Sequence, residues 1–160
     1  MEKAFVDMLN RHRGIIYKVC NLYCHEADDK QDLFQEITLQ LWKAFPAFRQ
    51  QAQQSTWMYR VALNTAISNF RKESRRPGLS PLSELDFDIP DDYPPNQKSE
   101  QINELMQAIG NLNPIEKAII MLYLDEKSYD EIAEITGITK NNVGVKLNRI
   151  KTKLETLLKL

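Results

Sequence analysis

Six side chains near the end of the chain have the types and spacing to grip DNA: Lys140, Asn141, Asn142, Lys146, Arg149 and Lys153. Phosphates supply affinity through cations, whereas base edges need directed donors and acceptors such as an amide or a guanidinium. Asparagines at the start of a helix suit the second task, because the first turns of a recognition helix sit deepest in the major groove. The helix that must carry them has an apolar side, where Val143, Leu147, Ile150, Leu154 and Leu157 alternate steps of four and three. A shorter helix precedes it. Ser128, with Glu131 three residues on, has the form of a capping box, and Ile132, Ala133 and Ile135 are its apolar positions. Gly137 offers the positive φ that ends a helix, and Thr139 is placed to cap the next. Residues 128–153 thus have the layout of a helix-turn-helix. The competing account is a solvated basic helix packed on its neighbours; cap, turn and seam together favour DNA binding.

A second candidate nucleic-acid surface lies upstream, where Trp57 and Tyr59 precede the basic run Arg71, Lys72, Arg75 and Arg76. Aromatic rings beside cations suit unpaired bases, which offer a stacking face as well as phosphate charge. Taken alone, the two aromatics read more simply as core residues. Cys20, Cys24, His25 and His12 invite a metal reading, but His25 leaves the face the two sulfurs share and no second ligand pair exists in the chain. Buried or boundary thiols and no metal are expected. The five glycines are scattered, with no phosphate-binding loop, and neither a nucleophile elbow nor a metalloprotease helix is present. No catalytic residue and no cofactor is expected: the chain does not read as an enzyme.

The elements that position these residues are helical throughout. Positions 3–23 place Phe5, Leu9, Ile16, Val19, Cys20 and Tyr23 on one side, with an interruption or bend expected at Gly14. Asp28 and Asp29 are candidate caps of a helix to Phe45, in which Leu33, Ile37, Leu41 and Phe45 recur every four residues until Pro46 stops it. Residues 47–54 read as a loop. A third helix starts near Ser55 or Thr56 and runs to Lys72, with Tyr59, Leu63, Ile67 and Phe70 toward a core and Trp57, Arg60, Asn64, Ser68 and Arg71 elsewhere. Ile102, Leu105, Met106, Ile109 and Leu112 form the stripe of a further helix, and Asn113-Pro114-Ile115-Glu116 restarts the chain as cap, first helical proline and third-position acid.

Between the two groups of helices, residues 77–100 hold five of the seven prolines and the acids Glu84, Asp86, Asp88, Asp91 and Asp92. Such a composition does not offset the entropy of ordering, so it reads as a linker. The net charge of −1 therefore hides a segregation of basic helices from an acidic connector. With 42% hydrophobic and 27% charged residues, the chain suits a globular protein. No apolar run approaches the roughly 18 residues of a membrane span, the first residues lack a signal-peptide core, and two cysteines make no disulfide framework. A cytoplasmic location is expected. The fold class is all-α: two small helical domains, residues 1–76 and 101–160, joined by the acidic linker 77–100.

Taken in order, these residues resemble the extracytoplasmic-function sigma factors, which direct bacterial RNA polymerase to promoters. Asp32-Leu33-Phe34-Gln35-Glu36 and Leu41-Trp42-Lys43-Ala44-Phe45 look like the family's core-binding helix. Ser55-Thr56-Trp57-Met58-Tyr59-Arg60-Val61-Ala62, with Asn64-Thr65-Ala66-Ile67 and Arg71-Lys72, looks like its promoter-melting and −10-reading segment. Residues 112–153 are similar to its −35-reading region. The resemblance implies contact with core RNA polymerase through Asp32, Gln35, Glu36, Leu41 and Trp42. It implies that Ser55, Thr56, Trp57, Arg60, Asn64, Arg71 and Lys72 face the −10 element, and that the basic set of the last helix reads the −35 element. It also implies an anti-sigma partner, often membrane-bound in this family. Two positions depart from the family pattern: Ser68 stands where many members have Asp, and Gly144 where many have Lys or Arg. Beside this reading stand a helix-turn-helix regulator that binds duplex DNA as a dimer without polymerase, and a module that only docks on another protein.

Overall fold

The computed structural model describes residues 2–48, 53–74 and 100–158, with residues 71–74 described by their backbone alone. Among them run α1 (Glu2–Arg11), α2 (Arg13–Tyr23), α3 (Ala27–Ala44), a 3-10 turn (Phe45–Ala47), α4 (Gln54–Ser74), α5 (Glu100–Gly110), α6 (Pro114–Leu124), α7 (Tyr129–Thr136) and α8 (Lys140–Leu158), and no strand. The helices fall into two compact units, α1–α4 and α5–α8. The expected linker 77–100, apart from Glu100, and the basic pair Arg75 and Arg76 lie outside the described residues.

In the first unit α4 packs against both α2 and α3, which also touch each other. An element wedged between two partners buries a wide stripe, so Met58 and Ala62 join Tyr59 and Leu63 at no more than 2% exposure. Ile67 is only half-buried and Phe70 is exposed, because the packing fades toward the end of α4. Ile16, Val19, Ile37 and Leu41 meet this stripe, each fully buried, and each such side chain is worth about 1.5–3 kcal/mol of transfer free energy. The first helical stretch breaks at His12, not at Gly14: His12 has φ −121° and ψ 27°, and Gly14 lies in the first turn of α2. The break shifts the helical phase, so Met8 and Ile15 are buried and Leu9 is half-buried. Nor do Asp28 and Asp29 cap α3. Glu26 occupies the cap without a side-chain bond, and the two acids sit in the first turn, where they favour the positive end of the helix dipole.

The second unit is built around α8, which packs against α5, α6 and α7. Its local stops are chemical. Asn113 accepts from the Glu116 N–H at 2.8 Å while the Asn113 N–H donates to the Glu116 carboxylate at 3.1 Å, and Ser128 and Glu131 repeat the exchange at 3.1 Å each way. Gly137, at φ 80°, ends α7 in the left-handed region that a side chain would strain. Of the α8 seam, Val143, Leu147, Ile150 and Leu154 are buried, whereas Leu157 is 47% exposed near the helix end. The α5 stripe is used only in its second half: Ile109 and Leu112 are buried, while Ile102 and Met106 stay exposed.

Candidate nucleic-acid interface

In the helix-turn-helix, Thr139 caps α8 by accepting from the Asn142 N–H at 3.1 Å. Once the seam is turned inward, Asn141, Asn142 and Arg149 point outward and are exposed. The three lysines of the set are differently engaged. Lys153 reaches back to the Glu116 carboxylate at 2.6 Å, and Lys140 pairs with Asp130 of α7 at 3.5 Å. Lys146 is half-buried on the flank of the seam and its charge also acts on Glu116. Burial alone would raise the Glu116 carboxyl, but bonds from Lys153 and the Asn113 N–H, with the charges of Lys153 and Lys146, hold it below the usual carboxylate range. Lys151 does not belong to the outward face: its Nζ donates to the Tyr123 hydroxyl at 3.1 Å and lies 4.5 Å from that ring's centroid. Val145, 46% exposed, and the exposed Asn148 and Thr152 share the outward face with Asn141 and Arg149. Reading α8 at 100° per residue from the seam finds them; a search for cations does not.

Gly144 lies between this face and α7. The nearest atom to a Cβ built there is Tyr129 Cε2 at 3.5 Å, an ordinary contact.

On α4, Arg60, Asn64 and Ser68 form an exposed stripe with the half-buried Trp57 at its N-terminal end. Ser55 is half-buried and Thr56 is buried at 5% exposure, so the two hydroxyl residues at the helix start differ in access. The side chains of Arg71 and Lys72 lie outside the described residues. Phe48 stacks on Trp57 with centroids 4.6 Å apart and planes 19° off parallel, and Phe45 lies tilted against it at 6.3 Å. Phe45 also meets Phe5, which in turn meets Trp42 edge-on at 5.0 Å. A run of aromatic contacts thus connects α1, α3, the 3-10 turn and α4.

On α3, Asp32 and Gln35 are exposed and Trp42 is 42% exposed on the same side. Glu36 is half-buried and accepts from Gln40 at 3.0 Å. Leu41 is fully buried, in the core beneath that face. Leu39, 44% exposed between Gln35 and Trp42, was not singled out from the sequence. Its signal was a large apolar residue lying off the seam of Leu33, Ile37 and Leu41.

Cys20 is buried and Cys24 half-buried, and neither forms a disulfide. Burial, with the neighbouring Cys24 adding to it, pushes the Cys20 thiol up to about 12. Among the described residues no group of three His, Cys, Asp or Glu is placed to hold a metal ion, and no helix is long and apolar enough to cross a membrane.

Two helical units, one with an aromatic-rimmed polar stripe and the other a helix-turn-helix, match known regions in that order. Residues 8–76 match the family model of Sigma-70 region 2, and residues 102–154 that of Sigma-70, region 4. These define a sigma-70-type transcription factor. The ECF RNA polymerase sigma factor SigW of Bacillus subtilis is 27% identical over 161 residues, covering 92% of this chain and 85% of that protein. The ECF RNA polymerase sigma-E factor of Haemophilus influenzae is 27% identical over 165 residues, covering 96% of this chain and 87% of that one. Among solved structures, the sigma factor RpoE co-crystallised with the anti-sigma factor NepR from Bartonella quintana shares the fold. Its TM-score is 0.76 at 19% identity, covering 99% of this chain and 98% of that chain. The chain belongs to the extracytoplasmic-function RNA polymerase sigma factors. It acts in transcription initiation as a transcription factor, and the stand-alone regulator is not favoured.

Proposed function

We propose that the two units divide promoter recognition between them after docking on core RNA polymerase. The outward face of α8 reads duplex DNA at the −35 element. Asn141 and Asn142 supply directed amides, Arg149 a guanidinium, and Lys140, Lys146 and Lys153 positive potential tempered by the carboxylates they meet. The exposed stripe of α4, with Arg60 and Asn64, the half-buried Ser55 and Trp57 and the buried Thr56 at its start, and the basic Arg71 and Lys72 beyond, takes the unpaired strand of the −10 element. The face of α3 that carries Asp32, Gln35, Glu36 and Trp42, supported from below by Leu41, docks on the polymerase. The domain limits follow: residues 1–76 and 101–160 on either side of an acidic connector. An anti-sigma protein is the expected regulator, since the RpoE relative was solved with one. The location is then cytoplasmic, where the polymerase acts.

The observation that carries this reading is the inward seam of α8, which leaves Asn141, Asn142 and Arg149 together on a free outer face. Reconstitution with core polymerase tests it, following promoter opening by permanganate reactivity of unpaired thymines. Trp57→Ala should impair opening while leaving core association intact. Tight binding of the free protein to duplex DNA, with no effect of polymerase, would overturn the reading.

A further inference from the structure

We infer that Arg11 contacts a backbone phosphate of the unpaired strand, beside the stripe of α4; this rests on the proposal that the stripe faces melted DNA. Arg11 is the last residue of α1 and is exposed. Asp7, one turn earlier, forms no ion pair with it among the described residues. Arg11 Nη1 instead donates to Gln54 Oε1 at 3.2 Å, across 43 positions of sequence. Gln54 is neutral, so this bond holds the guanidinium in place without cancelling its charge. A guanidinium carries five N–H donors, and one bond leaves most of the fork for a further acceptor.

Gln54 is the first residue of α4. At 3.6 residues per turn it lies about 60° from Trp57 and about 80° from Asn64 around the helix, and roughly 4.5 Å before Trp57 along it. The buried Met58, Ala62 and Ala66 lie on its other flank. The Arg11 charge is therefore tied to the border of the exposed stripe, at the end where Trp57 stands. An unpaired strand presents a base for an aromatic ring and a phosphate for a cation, and Arg11 places the cation beside that ring.

The neighbouring Arg13 provides a control. Its Nη2 donates to the Tyr17 hydroxyl at 3.1 Å and its guanidinium lies 5.8 Å from that ring's centroid. Tyr17 packs on Phe34 of α3. Two arginines separated by one residue are thus turned toward different helices, one to α4 and the other to the α2–α3 side.

The test uses the full chain bound to core polymerase, on a promoter whose −10 segment is held open by mismatches, with affinity measured between about 50 and 200 mM salt. Losing one phosphate contact to a single strand should lower the slope of log K against log salt by about 0.7. The affinity deficit of Arg11→Gln should accordingly shrink about 2–3-fold across that range and be equal for different −10 sequences. Arg11→Lys should restore the slope, and Arg13→Gln should leave it unchanged. An unchanged slope in Arg11→Gln, with Trp57→Ala still impaired in opening, would reduce Arg11 to a tie between α1 and α4 and overturn this inference alone. An equal loss in Arg13→Gln would make the effect one of general charge and overturn it too. Normal opening by Trp57→Ala would remove the stripe reading on which it rests.

Discussion

Gly144→Ala should stabilise the DNA-reading helix. Gly144 sits in the second turn of α8 and is half-buried. Gly137 is the one described glycine with positive φ, so Gly144 has an ordinary helical conformation that Ala adopts freely. In a helix interior, glycine costs about 1 kcal/mol relative to Ala, because more backbone freedom is lost on folding. The added methyl would find Tyr129 Cε2 at 3.5 Å, a contact worth about 0.1–0.2 kcal/mol. Both terms have the same sign, and together they amount to about 1 kcal/mol, or a roughly fivefold shift in the local opening equilibrium. Native-state hydrogen exchange on the full chain is the direct assay, since it reads α8 without requiring both units to unfold together. The slowest amides of α8 should become roughly fivefold better protected, while those of α2–α4 should not move. Unchanged or weaker protection would refute the reasoning. It would mean that the Tyr129 ring cannot tolerate the methyl, and that glycine is kept at 144 for packing.

Two further predictions concern titratable groups. The Glu131 carboxyl is held below its usual range, first by the Ser128 N–H and then by the Ser128 hydroxyl. A depressed carboxyl stabilises the fold above the unfolded value of about 4.3 and loses that contribution as pH falls through the lower folded value. The start of α7 should therefore lose exchange protection on acidification, and Glu131→Gln, which keeps the capping geometry, should remove that pH dependence. A pH response that survives the substitution would assign the effect elsewhere. The second concerns the thiols: Cys20, buried and raised to about 12, should resist alkylation at pH 8 in the native protein, whereas the half-buried Cys24 should react. Equal labelling rates of native Cys24→Ser and Cys20→Ser variants would contradict the packing of α2.

Local chemistry made much of the second unit legible in advance. Both capping boxes, the Asn113–Pro114 start, the Gly137 stop and the Thr139 cap appear at the residues named from sequence. Each is decided within four residues, where side chain and backbone meet whatever the rest of the chain does. The first unit was less legible. Gly14 looked like the interruption between α1 and α2 and Asp28 or Asp29 like the cap of α3, but the chain turns at His12 and begins α3 after Glu26. A local propensity of about 1 kcal/mol or less is easily outweighed by the burial of Met8, Ile15 and Ile16 that the observed phase permits.

Amino-acid order alone therefore determined that the chain is helical, where most helices start and stop, and which face of α8 turns inward, because periodicity assigns an angle to every residue. It could not assign a neighbour across a gap. Only the tertiary structure set Lys153 on Glu116, 37 positions away, and Lys140 on Asp130, separating those lysines from the outward Asn141, Asn142 and Arg149. Only the tertiary structure stacked Phe48 on Trp57 and tied Arg11 to Gln54. The physical reason is the same in each case. Contacts between helices depend on how their axes are packed, and that is decided by the burial of all the seams together.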